Sequence, residues 1–288
     1  KIEGFPIAYT PVRYPFFGVE STVSSVGYNI TKALKTLGHD VTLHAMIGDD
    51  SAGELVRQAL QQDGLDSAKV LPRLRATPQS VILYDGSGKR MINVDLKDLQ
   101  ETSYPLEQCN FSGVELAVLT NINFSRPMLE QAKAAGVPIA TDVHVIRNLE
   151  DEYNSDYMAA ADILFMSDEG LPVSPEDWVR QLWERYQTSI VVIGLGAEGA
   201  LLGVRADQHM ERIPAKALRP IVNTIGAGDA LFSSFLHGYI RTGNPYMAIR
   251  KAVLFAGYKI GEKGAAQGFM TANQLEATYR EVYPEGSA

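Results

Sequence analysis

From residue 24 onward, apolar positions at helical spacing alternate with short β-branched runs, the pattern of a mostly parallel sheet covered by helices. Val26, Ile30, Ala33, Leu34 and Leu37 make one helical face that stops at Gly38, and VTLHAMI (41–47) reads as the strand that follows. Ser51 and Glu54 predict a capping box for a helix that runs to Asp63 and is stopped by Gly64. Further strands are expected at 115–120, 137–142, 161–166 and 189–193, with helices near 127–135, 154–160 and 175–186. The last of these starts at Ser174-Pro175-Glu176-Asp177: a capping serine, a proline at the first helical position and acids in the first turn.

One stretch breaks the alternation. TPQSVILYDGSGKRMINVDLK (77–97) reads as two strands about a glycine-bearing turn at 85–88, a hairpin with no helix beside it. The opening segment IEGFPIAYTPVRYPFF is aromatic, proline-punctuated and strand-like. Together they predict a small β lid, 1–16 and 76–98, standing off a main domain of 17–75 and 99–288.

Composition narrows the classes. A chain of 288 residues with 45 % hydrophobic and 21 % charged residues is long enough for a large α/β domain and too apolar for disorder. No apolar run approaches a membrane span, and the first residues lack the apolar core of a signal peptide, so a cytoplasmic protein is expected. A formal net charge of -8 without a Lys/Arg cluster argues against nucleic acid. A small anionic ligand remains compatible, because backbone amides hold phosphate in a protein of any net charge. The single cysteine, Cys109, reads as a buried small hydrophobe, and His39, His44, His144, His209 and His237 show no metal-ligand spacing.

Two glycine-rich stretches compete for the chemistry. In SIVVIGLGAEGALLGV, Gly194, Gly196 and Gly199 spell G-x-G-x-x-G after a strand. A dinucleotide fingerprint needs a helix to open there, yet ALLGV reads as a strand paired with HMERIPA. That argues against an NAD-dependent oxidoreductase and for a glycine turn that lets a nucleotide approach closely. In NTIGAGDALFSSFLHGYI, Gly226, Ala227 and Gly228 open a helix marked by Phe232, Phe235, Leu236 and Tyr239. Amides exposed at that helix start make an anion hole for a phosphoryl group in transfer. Asp229, at its mouth, is placed to accept a proton from an attacking hydroxyl; by itself, an acid in a first turn would more often be a cap.

TIGAGDALFSSF resembles the signature of the ribokinase-like, or PfkB-type, carbohydrate kinases, and the resemblance spans nearly the whole chain. SSVGYNITKALKTLGHDVTLHAMIGDDSAGELVRQALQQDGLD is similar to the family's first signature, the hairpin with Gly88-Lys89-Arg90 to its lid, and VVIGLGAEGALL to its nucleotide loop. The resemblance implies a doubly wound, mainly parallel sheet with helices on both faces, and ATP- and Mg2+-dependent phosphorylation of a small sugar, with a monovalent cation such as K+ a further candidate. It implies Asp229 as general base, the 226–228 amides as anion hole, Gly194, Gly196, Gly199, Gly228 and Gly257 along ATP, and Gly27, Asn29 and Arg90 on the acceptor. Arg13 is a second arginine within reach through the lid, and Asp49 is expected to shape its turn. Pairing of two lids in a homodimer is also implied.

The departures from the family pattern bear on the site. Asn223 stands where the family has Asp, and Gly194 and Gly257 stand where it has Thr and a polar residue near the adenine. Tyr28 replaces the second glycine of G-G-N and is expected to line the acceptor site. The metal-organising N-x-x-E falls on SDEG (167–170), leaving Asp168 or Glu169 for Mg2+. The family's first strand, with its substrate-binding aspartate, is not visible before Lys1. A nucleoside kinase of the same fold, with Tyr28 and Phe5 as stacking surfaces, and a catalytically degenerate sugar-binding protein are the alternatives.

Overall fold

The computed structural model describes residues 1–14, 17–86 and 89–284. Helix α1 (Val26–Thr36) is capped by Ser25, whose hydroxyl accepts the Tyr28 amide, and it buries Ile30, Ala33 and Leu34 as the spacing requires. It leads to β1 (Ala45–Gly48), α2 (Ser51–Gln62) and β2 (Val70–Leu74), with β1 and β2 forming a separate parallel pair. The strand expected over 41–47 begins only at Ala45. The helix cap is also different from the expected box: Asp50, not Ser51, accepts the Gly53 amide.

The hairpin forms as expected. Strands β3 (Gln79–Tyr84) and β4 (Arg90–Asp95) pair antiparallel as a two-stranded sheet of their own. Of its turn, Ser87 and Gly88 lie outside the described residues. The opening segment contains no strand over residues 1–14. It reaches the lid through the Ile2 amide, which donates to the Tyr84 carbonyl at 2.8 Å, and the Lys89 ammonium lies over the Phe5 ring. Pro6 and Pro11 in that span deny the ladder a regular set of donors.

The main sheet has six strands: β5 (Ala117–Val118), β6 (Ile139–Val145), β7 (Ile163–Ser167), β8 (Ile190–Gly194), β9 (Ala200–Val204) and β10 (His209–Ile213). Their spatial order is β10-β9-β8-β7-β6-β5, with β5 to β8 parallel and β9 and β10 antiparallel. Interleaved are α3 (Arg126–Ala134), α4 (Ser155–Ala160) and α5 (Pro175–Tyr186), and α6 (Ala227–Thr242), α7 (Pro245–Lys259) and α8 (Ala272–Val282) follow.

Both faces of the central strands are apolar, because both are covered. Leu164, Met166, Val191 and Ile193 point to one side, onto α3, α4 and α5 through Met128, Tyr157, Trp178 and Trp183. Ile163, Phe165, Ile190 and Val192 point to the other, onto α1, α6 and α7 through Leu34, Phe232, Phe235, Ile249 and Val253. Period-two alternation in the strands thus sorts one run of β-branched residues into two cores. Trp178 is wholly buried, and its replacement by Ala is expected to cost about 3–5 kcal/mol. No helix among the described residues is long and apolar enough to cross a membrane.

Candidate active site

The C-terminal ends of the parallel strands, where open α/β sheets bind ligands, are where the start of α6 is held. Gly226 is its N-cap with φ 77°, a left-handed conformation that glycine adopts without strain. A Cβ at Gly226 would also lie 2.5 Å from the Ala265 carbonyl oxygen, so no other residue fits this turn. Asn223 fastens the turn: its amide donates to the Lys263 carbonyl at 2.6 Å and its side-chain oxygen accepts the Ile225 amide at 3.0 Å. An aspartate lacks that donor, so Asn223 gives this chain a neutral clasp where the family pattern has a charge.

The first amides of a helix have no intrahelical acceptors. The Ala227 amide is drawn into a 3.2 Å bond to the Thr224 carbonyl. Among the described residues no backbone acceptor stands on the Gly226 or Gly228 amide. Gly228 is exposed, and a Cβ there would meet nothing within 4 Å. The hole thus opens at Gly226 and Gly228, with Ala227 engaged in the turn.

Asp229 sits half-buried at that mouth. The Asn29 amide of α1 donates to its Oδ2 at 2.6 Å, and Ser24 donates in turn to the Asn29 carbonyl oxygen at 3.1 Å. Burial pushes the Asp229 carboxyl up to about 6, assisted by the Asp142 charge and opposed by the Asn29 bond, His144 and Lys259. Asp142 is buried near the end of β6 and accepts the His144 amide at 2.8 Å, while His144 holds φ 60°. The β3–β4 hairpin reaches the same turn: Arg90 donates to the Thr224 hydroxyl at 2.9 Å, joining β4 to the turn before α6. Arg13 is tied instead to Glu3 at 2.9 Å and to the Ala8 carbonyl, so of the two arginines Arg90 is at the site.

The nucleotide-loop glycines lie at the end of β8. Gly199 has φ 109° and packs against the end of β10, where a Cβ would lie 2.0 Å from the Ile213 carbonyl oxygen. Gly196 has φ 55° and open space beside it. A strand, β9, follows Gly199, which removes the oxidoreductase reading. The Asp168 amide donates to the Gly194 carbonyl at 3.0 Å, setting its carboxyl beside this loop. Burial raises the Asp168 pKa, and Glu169 and Glu198 add to it, so negative charge accumulates along this edge. Hard oxygen donors next to a phosphate loop suit Mg2+, which takes one or two carboxylates and completes its shell with phosphate and water. No group of three or more potential metal ligands occurs among the described residues. Gly257 is buried in α7, where a Cβ would strike the Lys216 carbonyl at 1.8 Å, a packing reason for glycine independent of any ligand.

Two expectations are corrected. Tyr28 does not line the acceptor site: it is buried beside Ile47, Leu60 and Val70, and its hydroxyl donates to Asp63. Asp49 is exposed and does not shape its turn; Asp50 does, accepting from the Thr77 amide at 2.8 Å and hydroxyl at 2.7 Å, bonds that hold its carboxyl well below the usual range. Asn29, expected on the acceptor, bridges Ser24 and Asp229 through its side-chain amide. Gly27 opens α1 and meets only Leu43. Sequence reasoning missed Asp142, His144, Thr224 and Lys259. An acid ending a β-branched run (VPIATD) and a lone lysine in AVLFAGYKI were signals for two of them.

The family model for pfkB family carbohydrate kinases matches residues 26–272. The acarbose 7(IV)-phosphotransferase of Actinoplanes sp. is 29 % identical over 253 residues, 83 % of this chain and 82 % of the relative. An ATP-dependent ribose-1-phosphate kinase of Halopiger xanaduensis is 26 % identical over 88 % of this chain and 86 % of its own length. Among solved structures, a microbiome-derived acarbose kinase superposes with TM-score 0.84 at 26 % identity, covering 96 % of this chain and 93 % of the other. A putative ribokinase II from E. coli, solved with ATP and Mg2+, shares the fold with TM-score 0.77 at 16 % identity, each chain covered to 95 %. With the glycine turn, the acid behind it and the lid above it in place, the chain belongs to the pfkB family of carbohydrate kinases, phosphotransferases that act on a hydroxyl group.

Proposed function

We propose that this chain transfers the γ-phosphoryl group of ATP to a hydroxyl of a small sugar, with Asp229 as general base. The observation that carries the reading is Asp229 itself: a half-buried carboxylate, fixed by Asn29, at the mouth of a helix N-terminus. A base with a pKa near 6 is ionised at neutral pH and still takes a proton readily. The Gly226 and Gly228 amides receive charge that develops on the transferring group, and Gly196 and Gly199 let the nucleotide backbone approach. Arg90 docks the lid over the turn, excludes water and contacts the acceptor. Mg2+, held with the phosphates beside Asp168 and Glu169, neutralises their charge when bound.

The lid, 1–16 and 76–98, closes on the main domain in this reading. Its other face, with Val81 61 % and Met91 47 % exposed, suits pairing with a second lid, which sedimentation would reveal as a dimer. ADP release from Mg·ATP is the direct test, screened over pentoses, hexoses, sugar phosphates, oligosaccharides and nucleosides in K+ and in tetramethylammonium buffers. Acceptor-dependent turnover that disappears in Asp229→Ala supports the reading. Silence from the folded protein over the whole panel counts against it. The displacement of Tyr28 from the site leaves nucleosides with Phe5 alone as a stacking surface and favours sugars in the screen.

A further inference from the structure

Lys259 is the last residue of α7, it is wholly buried, and among the described residues its Nζ has no hydrogen-bond partner. An ammonium in that state costs folding free energy that a methionine of similar length would not. Packing therefore gives no reason for the charge.

Its surroundings do. The turn after α7 is stitched to the segment entering the glycine turn: the Val222 and Asn223 amides both donate to the Ile260 carbonyl, and the Asn223 side chain reaches the Lys263 carbonyl. Gly226 lies against Ala265. Lys259 is thus enclosed on the protein side of the loop whose other side, at Gly228, faces solvent. Two carboxylates attract its charge, Asp229 and Glu262, and Arg219 opposes them. Glu262 is already paired with Arg219 at 3.0 Å, and that guanidinium also donates to the Tyr258 carbonyl. Among the described residues no cation forms an ion pair with Asp229; Asn29 gives it a neutral donor and Asp142 a like charge.

We propose that Lys259 is a fixed internal cation of this active site, a positioning residue that keeps Asp229 ionised and adds positive potential behind the anion-binding turn. The proposal rests on the kinase reading above for its purpose, and on burial and coupling to Asp229 for its existence. In a buried setting of low effective dielectric, such a charge acts without direct contact. The groups acting on Lys259 are Asp229 on α6, Glu262 in the turn after α7 and Arg219 on the irregular segment before the glycine turn; Asp142 and His144, at the end of β6, act on Asp229. Burial lowers the Lys259 pKa to about 8, so the cation is present at neutral pH and lost above that point.

The test is an NMR titration of the full chain carrying 13C at Asp carboxyls and Lys ε-carbons, in the wild type and in Lys259→Met, with thermal denaturation and ADP release alongside. Asp229 is expected to titrate higher in Lys259→Met by about one unit, as removal of a nearby opposite charge requires. The midpoint of denaturation should be unchanged or raised, and Lys259→Arg should restore the lower Asp229 value. Where the acceptor screen gives turnover, its loss of activity above about pH 8 should be absent in Lys259→Met. An Asp229 titration that does not move in a folded Lys259→Met overturns the proposal whether or not the chain is a kinase. If that variant does not fold, the wild type decides: Lys259 charged at pH 7 and titrating near 8 upholds the fixed cation, and a neutral Lys259 overturns it. An Asp229 shift without turnover on any acceptor would uphold the internal cation and count against the kinase reading alone.

Discussion

The Asn29 amide and the Asp229 carboxylate, 200 residues apart in the chain, meet in a 2.6 Å hydrogen bond. That bond joins the first turn of α1 to the first turn of α6 and sets the orientation of the carboxylate over the glycine turn. A hydrogen bond to a charged group is worth about 1.5–3 kcal/mol, which corresponds to about one to two pKa units. Asn29→Ala is therefore expected to move the acid limb of kcat/KM upward by that amount. A pH-rate profile measures it. An unmoved limb would mean that Asn29 serves the acceptor and not the base.

Asp229 also makes stability depend on pH. Its folded pKa, about 6, lies above the ordinary 3.8. Between these values the folded chain holds a proton that the unfolded chain has lost, so stability falls as pH rises through this window. Above about pH 6 the penalty is complete, and below about 3.8 it vanishes. Asp229→Asn should accordingly raise the denaturation midpoint at pH 7.5 and leave it unchanged near pH 3.5. Its kcat should fall by about 10²–10⁴, the usual contribution of a general base. Stability and activity moving in opposite directions is the outcome that separates a base from a cap.

Much of this was legible from spacing, because burial on both sheet faces forces β-branched runs and helical stripes into the sequence. The expected helices near 127–135, 154–160 and 175–186 form at Arg126–Ala134, Ser155–Ala160 and Pro175–Tyr186, since each is marked by local signals. What spacing could not show was which of two adjacent acids caps a helix. Asp50 displaces Ser51 and Asp49 through bonds to Thr77, which is 27 residues distant. Tyr28 likewise turned inward because Asp63 offers its hydroxyl a partner. Asp142 and Lys259 stand out only as polar residues in apolar runs, and the meeting of β6, α6 and α7 gives them meaning.

The two glycines of the anion turn should respond oppositely to alanine. Gly226→Ala puts a side chain at φ 77° and drives Cβ to 2.5 Å from the Ala265 carbonyl, so it should destabilise by more than the ~1–2 kcal/mol of left-handed strain alone. Gly228 lies in the first turn of α6 with open space beside it. Gly228→Ala should leave the denaturation midpoint unchanged or raised, since alanine gains up to about 1 kcal/mol over glycine in a helix. Its new methyl nonetheless occupies the space where a phosphoryl group would approach, so KM for ATP should rise. Loss of ATP affinity without loss of stability would place the nucleotide at that turn.

Arg90 is exposed, yet its guanidinium reaches the Thr224 hydroxyl at 2.9 Å, so the lid is docked by a contact that stabilises little by itself. Removal of such a surface group shifts stability by roughly 0.5 kcal/mol or less. Arg90→Ala should therefore leave the denaturation midpoint in place while KM for the acceptor rises, with kcat for ATP hydrolysis in the absence of acceptor rising as water gains entry. Thr224→Val breaks the same bond from the other side but leaves the guanidinium free to meet the acceptor. Comparison of the two variants under saturating ATP then decides the role: equal defects mean that Arg90 works by docking the lid, whereas a larger KM in Arg90→Ala means that it also holds the sugar.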